Sequence, residues 1–300
     1  MQTLIRNGMI HTLSAQGNFQ GDVLIVDSRI ALTAPHIHAA EQEMTHIVDA
    51  TGLHVCPGLI DAHVHLIRAA DQLETDVRAM LKAALMAGVT TCALWQESGQ
   101  ECVVIHGDER EQGQGILHVN AECLREDPLR RVMEDAMQRG LTVGCEVHSV
   151  KVLERVLRIR EEIGCRVVLV HLSQCTECDD LIVASGCPVI LGACCLRGKG
   201  SVYELACRLQ QRGVVVAITT DYPTTRLHYL PMTAGLCQRA GMTTDEALRT
   251  ITLDAAVILG IEKTCGSIEP DKRADLVLFD GDPLSFSASR VLTMCGGEMV

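Results

Sequence analysis

KVLERVLRIREEIGCRVVLVH, residues 151–171, places two periodicities back to back. Val152, Leu153, Val156, Leu157 and Ile163 fall on one face of a 3.6-residue helix, and Gly164 can adopt the left-handed cap that ends it. The next run, Val167 to Val170, is apolar at every position, which suits a strand covered on both faces. A helix followed by a doubly buried strand is the repeating unit of a parallel α/β sheet.

Worked outward, the same alternation predicts strands near 58–65, 89–95, 102–107, 115–122, 142–148, 166–172, 188–193 and 214–221. Eight parallel strands with helices between most of them make a (β/α)₈, TIM-like barrel the expected fold. The barrel is expected to be shortened, because residues 95–115 leave no room for regular crossover helices.

Both ends read differently. Thr3-Leu4-Ile5 and Met9-Ile10 flank Asn7-Gly8, a dipeptide suited to a hairpin turn, and Asp22–Val26 and Ile47-Val48 are further strand candidates. Past the last barrel strand, Thr243 and Glu246 have capping-box spacing at a helix start, and Ala255–Leu259 is helical. Gly266-Ser267-Ile268 and Asp275–Phe279 return to strand character. Neither end has enough strands alone, so residues 1–56 and 266–300 are expected to form one composite β-sandwich around a barrel of residues 57–265.

Composition narrows the function. The chain has 300 residues, 47% hydrophobic, with only eight Pro, enough to bury a large core and too ordered in pattern for a disordered segment. A net charge of −12 without a basic run, and only three Phe, three Tyr and one Trp, argue against a nucleic-acid partner. No apolar run nears the roughly 20 residues that span a bilayer. The first 20 residues show no signal-peptide pattern, so a cytoplasmic protein acting on a small molecule is expected, with a homo-oligomer left open. Fifteen Cys, an odd number scattered through apolar segments, suit buried reduced thiols better than a disulfide framework.

The chemistry concentrates at strand ends. In a strand, residues i and i+2 project to the same side, so His63 and His65 would point together at the carboxyl end of the first barrel strand, where barrel active sites lie. Two such imidazoles suit a divalent metal, zinc above all. Alone, the pair reads more readily as two loop histidines. His171 closes the apolar strand Val167–Val170, and Asp221 closes the strand beginning at Val214, where a carboxyl is costly to bury unless paired or coordinating. Ionisable groups thus close three separate strands at the same end.

Two stretches resemble the amidohydrolase superfamily: PGLIDAHVHL within Gly52–Leu66, and the tail from Leu248 to Leu284 that contains TLDAAVILGI and GSIEPDKRADLVLFDGDPL. The middle is similar to the imidazolonepropionase- and prolidase-like branch. The resemblance implies metal-dependent hydrolysis of a C–N bond, with one or two divalent ions. It makes His63, His65 and His171 ligands, and Asp221 both a ligand and the general base for the attacking water. At the fifth strand, relatives carry a ligand His where this chain has Glu146-Val147-His148, so either Glu146 or His148 fills the place, or the site is degenerate. Glu122 is the best candidate for a bridging carboxylate, with helix capping as its plain alternative.

Arg197 and Lys199 are candidates to clamp an anionic substrate group, and Tyr222, His228 and Tyr229 to line the pocket. Cys175 and Cys178, the Cys194-Cys195 pair, His106 and His118 are weaker candidates for a role at a site. Two other readings remain: a deacetylase or deaminase on the same scaffold, and a non-catalytic binding or assembly protein with a degenerate site.

Overall fold

The computed structural model describes residues 1–38, 46–65, 73–107, 109–111, 115–192 and 201–300. The N-terminal strands are β1 (Gln2–Ile10), β2 (Phe19–Val26), β3 (Arg29–Ala34), β4 (His46–Asp49) and β5 (His54–Pro57). Asn7-Gly8 does not make the expected hairpin turn. It lies inside β1, where Asn7 takes φ 62° and the register against β2 shifts between Ile5 and Gly8. Tolerance of positive φ is used for a bulge, which bends one long strand.

The chain then alternates. Strand β6 (Leu59–Val64) leads to α1 (Leu73–Met86) and β7 (Val89–Leu94). Strands β8 (Val103–His106) and β9 (Glu109–Glu111) follow directly, then β10 (Ile116–Asn120). Next come α2 (Glu126–Gln138), β11 (Thr142–Val147), α3 (Val150–Ile163), β12 (Arg166–His171), α4 (Asp179–Ser185), β13 (Val189–Gly192), α5 (Val202–Gln211) and β14 (Val216–Thr219). Helices α6 (Leu230–Arg239), α7 (Thr244–Thr250) and α8 (Leu253–Leu259) precede the terminal strands β15 (Leu276–Phe279), β16 (Arg290–Cys295) and β17 (Glu298–Met299).

Helix α3 buries Val152, Leu153, Val156 and Leu157 and stops at Gly164, which takes φ 79°. Helix α7 begins with the full capping box of Thr243 and Glu246. Strands β6, β7 and β11 are buried at every position, so each is covered on both faces.

The central strands form two sheets, β6-β7-β8-β9 and β10-β11-β12-β13-β14. All neighbours in the second sheet are parallel. The strand expected at 102–107 is present as β8 but runs antiparallel to β7, with Thr91 opposite His106. The cause is length: the few residues after β7 cannot hold a crossover helix, and an antiparallel return needs none. Single bridges join the two sheets, parallel between Val64 and Tyr222 and antiparallel between Glu101 and Leu117.

The chain ends meet in one eight-stranded sheet of order β17-β16-β15-β5-β1-β2-β3, with β4 beside β1. The seam is the antiparallel pair β5 and β15, Pro57 opposite Leu276 and His54 opposite Phe279. Ile5, Ile10, Val23, Val55, Leu276 and Leu278 pack into its core. Pro57 therefore ends the terminal sheet one residue before Gly58 and the start of β6. That short link holds the first site strand against both chain ends.

The thirteen described cysteines are free thiols. No described helix is long and apolar enough to cross a membrane.

Candidate metal centre

Alternation along β6 turns Asp61, His63 and His65 to one side. Each has a different task. Asp61 is fully buried and accepts hydrogen bonds from the Thr219 hydroxyl, from the Thr220 hydroxyl at 2.5 Å and from the Thr220 backbone N–H at 3.3 Å. The Thr219 hydroxyl also lies 2.6 Å from the His63 carbonyl oxygen and accepts from the Asp221 N–H at 3.1 Å. The end of β14 is thereby fastened to β6, which fixes Asp221 relative to His63.

Burial raises the Asp61 carboxyl to about 6 against the four hydrogen bonds that favour its charged form. The unfolded chain loses this proton first, so the native state binds more protons between 3.8 and about 6. The stability contributed by this carboxyl is complete below that window and is lost as pH rises through it. Asp61→Ala leaves the Thr220 hydroxyl and N–H without their acceptor, and should lower unfolding stability by about 2–4 kcal/mol in urea melts.

Asp221 and His171 leave their strands with φ of 53° and 74°, left-handed values rare for residues with a Cβ. Such strain collects at functional sites, where surrounding contacts hold it. Here it carries both side chains into a common space with β6. His63 Nδ1 lies 3.3 Å from Asp221 Oδ1, and His63 Nε2 lies 3.8 Å from Glu146 Oε1. His65 Nε2 lies 3.9 Å from Asp221 Oδ1 and 3.8 Å from Glu146 Oε1. His171 Nε2 lies 3.9 Å from Glu146 Oε1. Two donor groups result, His63–His65–Asp221 and His63–Glu146–His171.

These atoms fit a small divalent cation. Donors about 2.1 Å from a tetrahedral ion stand about 3.4 Å apart, close to the separations seen. Both ring nitrogens of His63 are buried without a hydrogen-bond partner, a costly state for a polar group unless something else occupies it. His65 Nδ1 lies 3.0 Å from the Trp95 carbonyl oxygen. A carbonyl can only accept, so Nδ1 carries the proton and Nε2 presents its lone pair to the cluster.

Electrostatics agree. Burial, then the neighbouring His65, holds His63 well below the usual imidazole value, and burial brings His171 down to about 4. Both are neutral near pH 7 and can act as ligands. Burial works against ionised Glu146, but His118, His171 and His63 outweigh it and bring the carboxyl down to about 2. Burial raises Asp221 above the ordinary carboxylate range.

Of the two fifth-strand candidates, Glu146 enters the cluster. His148 stacks on His171 at 5.1 Å and contacts Ser173 Oγ through Nδ1 at 2.9 Å, and it belongs to neither donor group. Glu122 is held outside both groups: its carboxylate accepts from the backbone N–H groups of His148 and Ser149 at 2.7 and 2.8 Å, at the start of α3. Tyr222 contributes backbone, its carbonyl accepting from the His65 N–H at 2.7 Å. His228 is exposed on the turn Leu227–Tyr229, 4.0 Å from the Tyr229 ring. Cys175 and Cys178 belong to neither donor group. Arg197, Lys199 and Cys194-Cys195 lie outside the described residues.

His118 matters more than its isolated position in the sequence suggested. Its Nε2 lies 3.0 Å from Glu146 Oε1, and Asn120 donates to Glu146 Oε2 at 2.8 Å. The signal was the same i, i+2 spacing that marks His63 and His65. Trp95 borders the cluster without a sequence signal of its own. Its ring lies 4.7 Å from His63 and 5.5 Å from His118, and its Nε1–H donates to the Ala62 carbonyl at 2.8 Å. Gly144 makes room for it, since a Cβ there would sit 2.3 Å from the indole.

Residues 197–300 match the sequence model of an amidohydrolase family. The chain is similar to an imidazolonepropionase from Treponema denticola, 24% identical over 80% of each protein. It is also similar to a dihydroorotase from Solibacter usitatus, 36% identical over 30% of this chain, and the match spans only 20% of that relative's length. An amidohydrolase from Thermotoga maritima shares the fold, with a TM-score of 0.80 at 20% identity over 99% of both chains.

Proposed function

We propose that the chain, which is similar to amidohydrolases in sequence and in fold, hydrolyses a C–N bond of a small molecule with a divalent metal held at the ends of β6 and β14. The observation that carries this reading is the convergence of His63, His65 and Asp221, with Glu146 and His171 beside them, from strands far apart in sequence. His63, His65 and Asp221 hold the ion, and Glu146 and His171 complete its surroundings. On this reading the strands of residues 57–265 complete a barrel, joined through the Val64–Tyr222 bridge. The sheet built from both chain ends is its support.

The bound ion, zinc being the first expectation for this N and O donor set, supplies Lewis-acid polarisation and lowers the pKa of water from ~15.7 towards ~7. Asp221 takes the proton of the attacking water and returns it to the leaving nitrogen. His171 and His148 border the site as groups that steady the developing oxyanion. Asp61 acts through the Thr219–Asp221 turn and is a positioning residue.

A panel of cyclic amides, N-acetylated amines and aminated heterocycles separates amidohydrolase, deacetylase and deaminase activity. Metal-loaded protein should turn over one class, and chelation should abolish that turnover. Turnover unaffected by chelation would contradict the reading.

A further inference from the structure

At the amino-terminal ends of β11–β14, away from His63 and Asp221, lies a cavity of about 360 Å³. Three arginines line it: Arg160 in the last turn of α3, Arg166 at the start of β12 and Arg212 capping α5. None of the described lining residues is acidic, although the chain carries a net charge of −12. Such a concentration of one sign against the overall balance focuses a local positive potential.

The arginines are incompletely answered. Arg212 donates to Asp180 at 2.7 Å, but that carboxylate is 96% exposed and open to exchange with water. Arg166 donates to the neutral Gly140 carbonyl. Arg160 has neither an ion pair nor a side-chain hydrogen bond among the described residues, and its Nε is buried without an acceptor. Val167, Val183, Val257 and Ile258 supply an apolar wall. Guanidinium forks match phosphate and carboxylate oxygens in paired hydrogen bonds.

We propose that this cavity is a second ligand site, separate from the metal centre, which binds a small organic dianion, a phosphate ester or a dicarboxylate, with its charged end on Arg160 and Arg166 and its carbon skeleton against Val257 and Ile258. Complementing the carboxyl ends of α3 and α5 is the competing role for Arg160 and Arg212. That role predicts a stability effect with no dependence on dianions.

The test is thermal unfolding of the whole metal-loaded protein with inorganic phosphate, glycerol phosphate or succinate, at ionic strength matched with sodium chloride. At least one dianion should raise the midpoint saturably, and the one that does so distinguishes phosphate from dicarboxylate recognition. Arg160→Gln and Arg166→Gln should each weaken the apparent affinity about tenfold or more. Val257→Glu, at an exposed wall position that places a competing carboxylate in the cavity, should do the same and covers the case in which Arg160→Gln fails to fold. Midpoint shifts no larger than those from sodium chloride, or equal in wild type and in the folded variants, would overturn the proposal.

Discussion

The double substitution His63→Ala and His65→Ala should remove metal retention and lower turnover by at least about 10³-fold. These two imidazoles face the Asp221 and Glu146 oxygens from one strand, and both ring nitrogens of His63 lack any other partner. Removing them leaves two carboxylates and one imidazole, a set too poor to retain a zinc-type ion at neutral pH. His63 is wholly buried, so its loss also opens a cavity, costing roughly 2–4 kcal/mol of stability. The single variant His65→Ala separates the two effects, because its side chain is 32% exposed and its removal leaves the core intact. Metal content measured on folded single and double variants, beside turnover, checks the prediction. Unchanged turnover in a folded double variant would remove the metal from the account.

Asp221→Asn should lower kcat by about 10²–10⁴-fold while leaving the fold and part of the metal affinity in place. The amide keeps the size of the side chain and one oxygen donor, and the backbone N–H bond to Thr219 Oγ1 and the turn bond from Thr224 N–H to the Asp221 carbonyl do not involve the carboxylate. What disappears is the group that accepts and returns a proton. As the proton acceptor, this carboxyl should carry the low-pH limb of kcat/KM, and that limb should vanish in the variant. Loss of KM alone, with kcat retained, would give Asp221 a binding role and leave the proton transfer to another group.

The order of elements was legible because each carries a complete local pattern. The helix 150–163 and strand 166–171 meet at a glycine, and the strands expected at 58–65, 142–148 and 188–193 appear as β6, β11 and β13. Direction was not legible for β8. Periodicity marks a strand whichever way it runs, and the missing crossover helix, noted as a shortened barrel, was the trace of an antiparallel return. Asn7-Gly8 misled for a related reason, since positive φ serves a bulge as well as a turn.

The site was legible where one strand supplies both groups, as with His63 and His65. It was illegible where meaning depends on the neighbouring strand. Glu146 and His148 have the same spacing and face, and only the approach of His63, His118 and His171 distinguishes the cluster residue from the stacked one. Asp61 stood inside the quoted PGLIDAHVHL run, yet its partners Thr219 and Thr220 lie more than 150 residues away.

The most direct measurement is anomalous diffraction at the zinc edge from crystals of the metal-loaded protein. A peak is expected within about 2.0–2.3 Å of donor atoms from His63, His65 and Asp221, with Glu146 and His171 facing it. A peak on Cys175 and Cys178 with none beside His63, or no peak in protein loaded to saturation, would contradict that placement.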